Sequence, residues 1–223
     1  MNAGPDQRGC VVFDVDGTLL DTNYLHVTAW WEAFRERGHD VRSADIHQAI
    51  GKDSAELVAD VLGRPEDSVI AAHSRHMAPY LGRMRALPGA AGLLQATARL
   101  GLQVVIATSA KPDEVDLMLD AIGAREAISE VLTSGDVERA KPAPDIIRAA
   151  LDATGTHRRR CAMVGDTVWD VIAADRAGVR CIGLLTGGIA EQELRSAGAA
   201  AIYADAAALL ENLDDSIIGQ LAS

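Results

Sequence analysis

From residue 89 to about residue 203, short apolar runs rich in β-branched residues alternate with helical stretches, and this alternation constrains the fold most. Gln103-Val-Val-Ile-Ala-Thr108 reads as a buried strand, and Glu130-Val-Leu-Thr133 as a shorter one. Arg160-Cys-Ala-Met-Val-Gly165 and Val179-Arg-Cys-Ile-Gly-Leu184 follow, and Ala200-Ala-Ile-Tyr203 is a weak last strand. Between them the periodicity predicts helices over roughly 89–100, 112–122, 143–154, 168–177 and 190–196. Strands separated by helices must run parallel, with helices covering both faces of the sheet. The expectation is an α/β fold, a Rossmann-like doubly wound parallel sheet. Cys10-Val-Val-Phe-Asp14 supplies its first strand, and its unbroken apolar character makes that strand central.

Residues 23–86 break the pattern. They hold no convincing strand, and helical stretches run over roughly 24–37, 43–50, 53–63 and 66–84, with breaks at Gly38, Gly51 and Gly63-Arg-Pro65. Pro88-Gly89 marks the return to the alternating pattern. The chain therefore divides into a core, residues 1–21 and 88–223, and an inserted helical domain, residues 22–87. Long connections after a strand are more often functional than filler. After about residue 213 the sequence carries little pattern.

A chain of 223 residues suits one good-sized domain with a smaller insert. The formal net charge of −11, with no basic block beyond His157-Arg-Arg-Arg160, argues against nucleic acid held by counterion release. It argues equally against anionic membranes. That short basic cluster precedes a strand and reads as a solvated turn at the amino edge of the sheet. Cys10, Cys161 and Cys181 each sit in or beside an apolar run, as small buried hydrophobes in a reducing compartment. The first eight residues have no apolar h-region, and no run reaches the ~18 apolar residues of a membrane span. The expected location is cytoplasmic.

The chemistry gathers at the ends of the strands. Asp14-Val-Asp16-Gly17-Thr18-Leu-Leu-Asp21-Thr22 begins where the first strand ends, at the sheet edge where open α/β folds bind ligands. Two acids this close are costly unless a cation sits between them, although the same residues also suit a strand end with an Asx turn. The second strand ends in Thr108-Ser109-Ala110, offering a hydroxyl and backbone N–H groups to phosphate oxygens. Lys141-Pro142 follows the short third strand; proline holds the preceding lysine out of the helical region, just before a helix. The fourth strand ends in Gly165-Asp166-Thr167-Val-Trp-Asp170, whose acids also suit a helix N-terminus. Taken singly, each piece has an ordinary structural explanation. Four strand ends that together supply carboxylates, a hydroxyl and an ammonium group point to one site.

These four motifs, in this order, resemble the haloacid dehalogenase superfamily, and the resemblance covers nearly the whole chain. The helical insertion is similar to the small α-helical cap of its phosphoglycolate phosphatase and β-phosphoglucomutase branch. The resemblance implies a Mg²⁺-dependent phosphatase of a small phosphorylated metabolite. It casts Asp14 as the nucleophile that becomes an aspartyl phosphate and Asp16 as the general acid and base. Thr108 and Lys141 would hold the phosphoryl group. Asp14, the backbone carbonyl of Asp16, Asp166 and Asp170 would serve the metal, the last through water or from behind the ligands. Asp21-Thr22-Asn23 and the region around Leu87-Pro88 would form the hinge.

Ser109, Ala110, His26, Gly51 and Lys52 are the further candidate substrate contacts. His26 stands where β-phosphoglucomutases carry a histidine that links cap closure to the acid/base aspartate; it also suits a packing role. Lys52 in the Gly51-Lys52-Asp53 break is either a contact or a solvated lysine. Trp30, Trp31 and Trp169 read as packing residues, with one of the first two facing the cleft. Gly187-Gly188 reads as a loop near the site mouth. The rival within the superfamily is a sugar-phosphate mutase. His26 favours it, and Gly165 opposes it, because the mutase pattern has glutamate there. Asp16 disfavours dehalogenases and phosphonatases, and the helical insertion disfavours a receiver-type phosphoacceptor module.

Overall fold

The computed structural model describes residues 8–110 and 112–222. Residues 1–7, where the sequence shows no h-region, lie outside the described residues. The strands are β1 (Cys10–Phe13), β2 (Gln103–Ala107), β3 (Glu130–Leu132), β4 (Cys161–Gly165), β5 (Arg180–Leu184) and β6 (Ala201–Tyr203). All pairings are parallel, and the order across the sheet is β3-β2-β1-β4-β5-β6. The doubly wound α/β sheet expected from the alternation is thus present, with β1 inside it. The chain winds outward from β1 through β2 to β3, then crosses to β4 and winds the other way. That reversal opens a crevice at the carboxyl ends of β1 and β4, where such sheets bind ligands.

Strand alternation sends Val11 and Phe13 to one face and Cys10 and Val12 to the other. The first face packs on α5 (Ala90–Arg99) and α6 (Pro112–Ile122) through residues such as Leu93, Leu94 and Met118. The second packs on α7 (Asp145–Thr154), α8 (Val168–Ala177) and α9 (Glu191–Ala197) through Ile147, Val171 and Leu194. The three cysteines are free and buried; Cys10 and Cys161 are register partners with sulfurs 3.1 Å apart.

The insertion comprises α1 (Asn23–Glu36), α2 (Ser43–Ala49), α3 (Ser54–Leu62) and α4 (Asp67–Leu81). It has its own apolar centre, including Trp30, Phe34, Ile46, Leu57 and Val69. Trp31 is partly buried against it, with the Arg35 guanidinium 4.7 Å above the ring. The two linkers run side by side: Asp21 N–H donates to Arg85 C=O at 2.9 Å and Leu87 N–H to Leu19 C=O at 2.8 Å.

Two parts differ from the sequence reading. The last insertion helix stops at Leu81 instead of running on to 84, because Met84 is needed in the sheet-side core and Ala86 bridges Leu20. The apparently patternless tail contains a helix. α10 (Ala206–Glu211) is followed by α11 (Ile217–Ala222), which buries Ile217, Ile218 and Leu221 against the first face. Six residues are too few for a periodic signal, so packing sets this helix rather than propensity. Among the described residues, no helix is long and apolar enough to cross a membrane.

Candidate active site

Register brings the acids together. Phe13 is level with Ile106 on one side and Val164 on the other, so the residues that follow all three emerge side by side. Asp14 N–H still donates to Val164 C=O at 2.9 Å, which fixes its start. Asp14 is buried, and its Oδ1 takes a 2.6 Å bond from Lys141 Nζ. Lys141 gives a second bond, 2.8 Å long, to Oδ1 of Asp170. Asp170 occupies the first turn of α8, where its Oδ2 accepts from the N–H (3.1 Å) and hydroxyl (2.6 Å) of the cap residue Thr167. Asp166 is fully buried; Thr18 Oγ1 donates to its Oδ1 and Asn23 Nδ2 to its Oδ2, both at 2.8 Å.

Glycine makes this crowding possible. Gly17 turns with φ of 75°, a conformation that side chains resist, directly after the two acids. A Cβ at Gly165 would lie 2.5 Å from the Asp170 side chain, so this strand end admits nothing larger.

The electrostatics show an excess of negative charge. Burial, reinforced by the charge of Asp170, pushes Asp166 up to about 7. Burial also raises Asp14 well above the usual carboxylate range, with Asp170 and Asp166 adding to it and Lys141 opposing. Burial disfavours the Lys141 charge, but Asp14 and Asp170 outweigh it and hold the ammonium charged. Asp14, Asp166 and Asp170 offer oxygens that lie within 4.8 Å of one another. Three ionised carboxylates and one ammonium leave two negative charges, which suits a divalent cation. An all-oxygen set suits a hard one.

Asp16 stands apart. Thr22 Oγ1 donates to its Oδ1 at 2.5 Å, and His26 Nε2 lies 3.3 Å from the same oxygen. Burial would raise this acid, but the positive charge of the nearby His26 and the Thr22 hydroxyl bring it below its ordinary value. His26 moves up in turn: burial works against its charge and Asp16 more than compensates.

Asp14, Asp16, His26, Gly51, Lys52, Ser109, Ala110 and Lys141 all line one cavity of about 120 Å³ between sheet edge and insertion. Thr108 does not line it; it is buried, and its hydroxyl accepts from Ala110 N–H at 3.1 Å, shaping the turn that presents Ser109 and Ala110. Lys52 reaches the rim, but its ammonium pairs with Asp60 and lies 4.0 Å over the Trp169 ring. Trp30 packs in the insertion and also faces the cavity. Gly187 is at the site: its carbonyl accepts from His47 Nε2 of α2 at 2.8 Å. The Arg158 to Arg160 turn is exposed and precedes β4, at the opposite edge.

Sequence reasoning gave no site role to Thr18, Thr167, His73 or Glu114, and read Asn23 only as part of the hinge. Thr18, Asn23 and Thr167 stand beside motif acids and serve them, a signal present in the sequence and unused. His73 and Glu114, on α4 and α6, also line the cavity, and only folding brings them there.

The family model for haloacid dehalogenase-like hydrolases matches residues 11–184. The chain is 28% identical over 180 residues to validoxylamine A 7'-phosphate phosphatase of Streptomyces hygroscopicus, covering 78% of this chain and 84% of that one. It is 28% identical over 217 residues to phosphoglycolate phosphatase of Rhodospirillum rubrum, covering 89% and 88%. The crystal structure of a hydrolase from Pseudomonas syringae superimposes with a TM-score of 0.87 at 32% identity, covering 93% of this chain and 98% of that one.

Proposed function

The chain belongs to the haloacid dehalogenase-like hydrolase family, and from that premise we propose that it is a Mg²⁺-dependent phosphatase of a small organic phosphate monoester. One observation carries the reading: Asp14 faces a cavity at the sheet's reversal point with Lys141 2.6 Å from its oxygen. Relatives named as phosphatases support it.

In this reading Asp14 attacks phosphorus and forms an aspartyl phosphate, while the bond to the leaving oxygen breaks. Asp16 gives that oxygen its proton, then takes one from the water that releases phosphate. A carboxylate attacking a dianionic ester meets like charge, and Lys141 offsets that repulsion. The Ser109 and Ala110 turn cradles the phosphoryl oxygens, and Thr108 shapes the turn. Mg²⁺ would be held by Asp14, Asp166 and Asp170, with the Asp16 carbonyl, and supplies further charge neutralisation when bound. Residues 22–87 act as a cap that excludes water, hinged on the paired linkers, with the core formed by 1–21 and 88–223. A cytoplasmic location fits the buried free cysteines.

The mutase reading keeps one favourable observation, the His26–Asp16 contact. It is opposed by Gly165, where the Asp170 side chain leaves no space for glutamate. Release of phosphate from p-nitrophenyl phosphate, with Mg²⁺, with EDTA and with Asp14→Asn, tests the proposal. Mg²⁺-dependent release that Asp14→Asn abolishes is expected. No release from any ester would remove the phosphatase reading and leave the mutase assay with a sugar bisphosphate.

A further inference from the structure

Asp16 is approached from the insertion by two imidazoles in series. His26 on α1 sets Nε2 3.3 Å from Asp16 Oδ1, and its Nδ1 lies 3.3 Å from Nε2 of His73 on α4. His73 is only 9% exposed and lies flat on Trp30, with ring centroids 3.8 Å apart and planes within 13°. His26 Nε2 is buried and within ion-pairing reach of Asp16, yet has no well-aligned hydrogen-bond acceptor among the described residues. Asp16 therefore does not by itself fix the direction or proton of that ring. The Nδ1 side does.

Tautomers make this specific. A neutral imidazole carries one N–H, and if it lies on Nδ1, His26 turns a lone pair toward a carboxylate. A proton on His73 Nε2 donates to His26 Nδ1 and forces the His26 proton onto Nε2, facing Asp16. If His26 carries both protons, His73 accepts through Nε2 and holds its own proton on Nδ1. In either state one proton lies between the rings, and His26 still presents N–H to Asp16. Trp30 holds the His73 ring at the angle this needs.

We propose that His73 is a positioning residue for the acid/base step, acting through His26 to keep an N–H directed at Asp16. This rests on the phosphatase reading above. The step it serves forms the bond between Asp14 and phosphorus, breaks the bond from phosphorus to the leaving oxygen, and moves the Asp16 proton onto that oxygen. An ester whose leaving oxygen departs readily as an anion does not need that proton; an alkyl ester does.

The test is kcat/KM for p-nitrophenyl phosphate and for propyl phosphate, in the unmodified protein, His73→Phe and His73→Gln. Phenylalanine keeps a flat ring on Trp30 and removes both nitrogens; glutamine can still donate or accept. General acids contribute about 10²–10⁴-fold, and the positioning share of that is about tenfold. His73→Phe should lower propyl phosphate turnover about tenfold and leave p-nitrophenyl phosphate within about twofold, with His73→Gln recovering most of the loss. Equal losses on both esters, or none on either, would overturn the proposal and leave His73 a packing residue. If His73→Phe does not fold, His73→Met replaces it beside His73→Gln, and equal selectivity in those two overturns the proposal just as well. Failure of the unmodified protein on p-nitrophenyl phosphate would strike the phosphatase reading instead, so the two failures are distinct.

Discussion

The sheet edge and the helical insertion meet at one cavity, yet they hold their polar groups in different ways. At the edge, Asp14, Lys141, Asp170 and Thr167 form an unbroken chain of bonds no longer than 3.1 Å, with Asp14 on a strand end, Thr167 and Asp170 at a helix start and Lys141 in the loop between β3 and α7. The insertion grips the edge at two points, Asn23 on Asp166 and His47 on the Gly187 carbonyl, both at 2.8 Å, whereas over the cavity His26 and His73 reach the site across 3.3 Å contacts and Lys52 is held by Asp60 and Trp169. The edge is built for charge and permits little movement. The insertion adds direction and shape, which can change without dismantling the chemistry.

The largest test of that division is Asp14→Asn, which should cut phosphate release by about 10⁴-fold or more without lowering the melting temperature. An equal loss of stability would show that Asp14 is part of the scaffold. Next comes Lys141→Met, which leaves two buried carboxylates without their shared cation. Breaking such a pair costs about 3–5 kcal/mol, or a melting temperature lower by about 10 °C, measured in EDTA. Trp30→Ala removes a buried ring from the insertion's own core and should cost about 3–5 kcal/mol there. Calorimetry should then show the insertion melting before the sheet; a single displaced transition would mean that the two regions fold as one.

A smaller effect follows from Asp166. Its folded value of about 7 lies above the ordinary 3.8, so between those values the folded protein holds a proton the unfolded chain has released. Without metal, stability falls as pH rises through that window and levels off above it. If Mg²⁺ is held as proposed, it binds the ionised form, so the rise in melting temperature it produces should grow from pH 4 to pH 7 and reach several degrees. A rise independent of pH would place the cation elsewhere. Smallest of all, Lys52→Ala should change KM by about threefold and leave kcat alone. A large fall in kcat would move part of the chemistry into the insertion.

The edge was legible in the sequence because Asp14 and Asp166 each come directly after an apolar run, which tells where they emerge, and Lys141 is marked by the proline that follows it. The strands themselves, their parallel arrangement and the inner place of β1 were readable from the same apolar runs, whereas the order across the sheet was not. The insertion's contribution was readable only in part. His26 lies within reach of the first motif in sequence, but His73 is remote from it, on a helix face where histidine has many ordinary uses. α11 escaped because three apolar residues in six show no period, and its helical form depends on the sheet beneath. Thr108 carries a different lesson: its place at a strand end was readable, whereas the turn of its hydroxyl back to Ala110 is a local choice that spacing does not encode.

The paired linkers have a consequence for the history and engineering of the chain. Leu20 bridges Ala86, so the insertion leaves and rejoins the core through neighbouring extended segments about 5 Å apart. Seen from the sheet, roughly sixty residues close a gap that a hairpin turn would close, and the entropy of closure grows only slowly with the length of such an excursion. Asn23 and His47 are what a replacement would have to match, because they bond Asp166 and Gly187. Helical units with other linings can be exchanged at these two points while every strand pairing stays intact, so new substrate preferences can arise by transplanting a segment without rebuilding a catalyst.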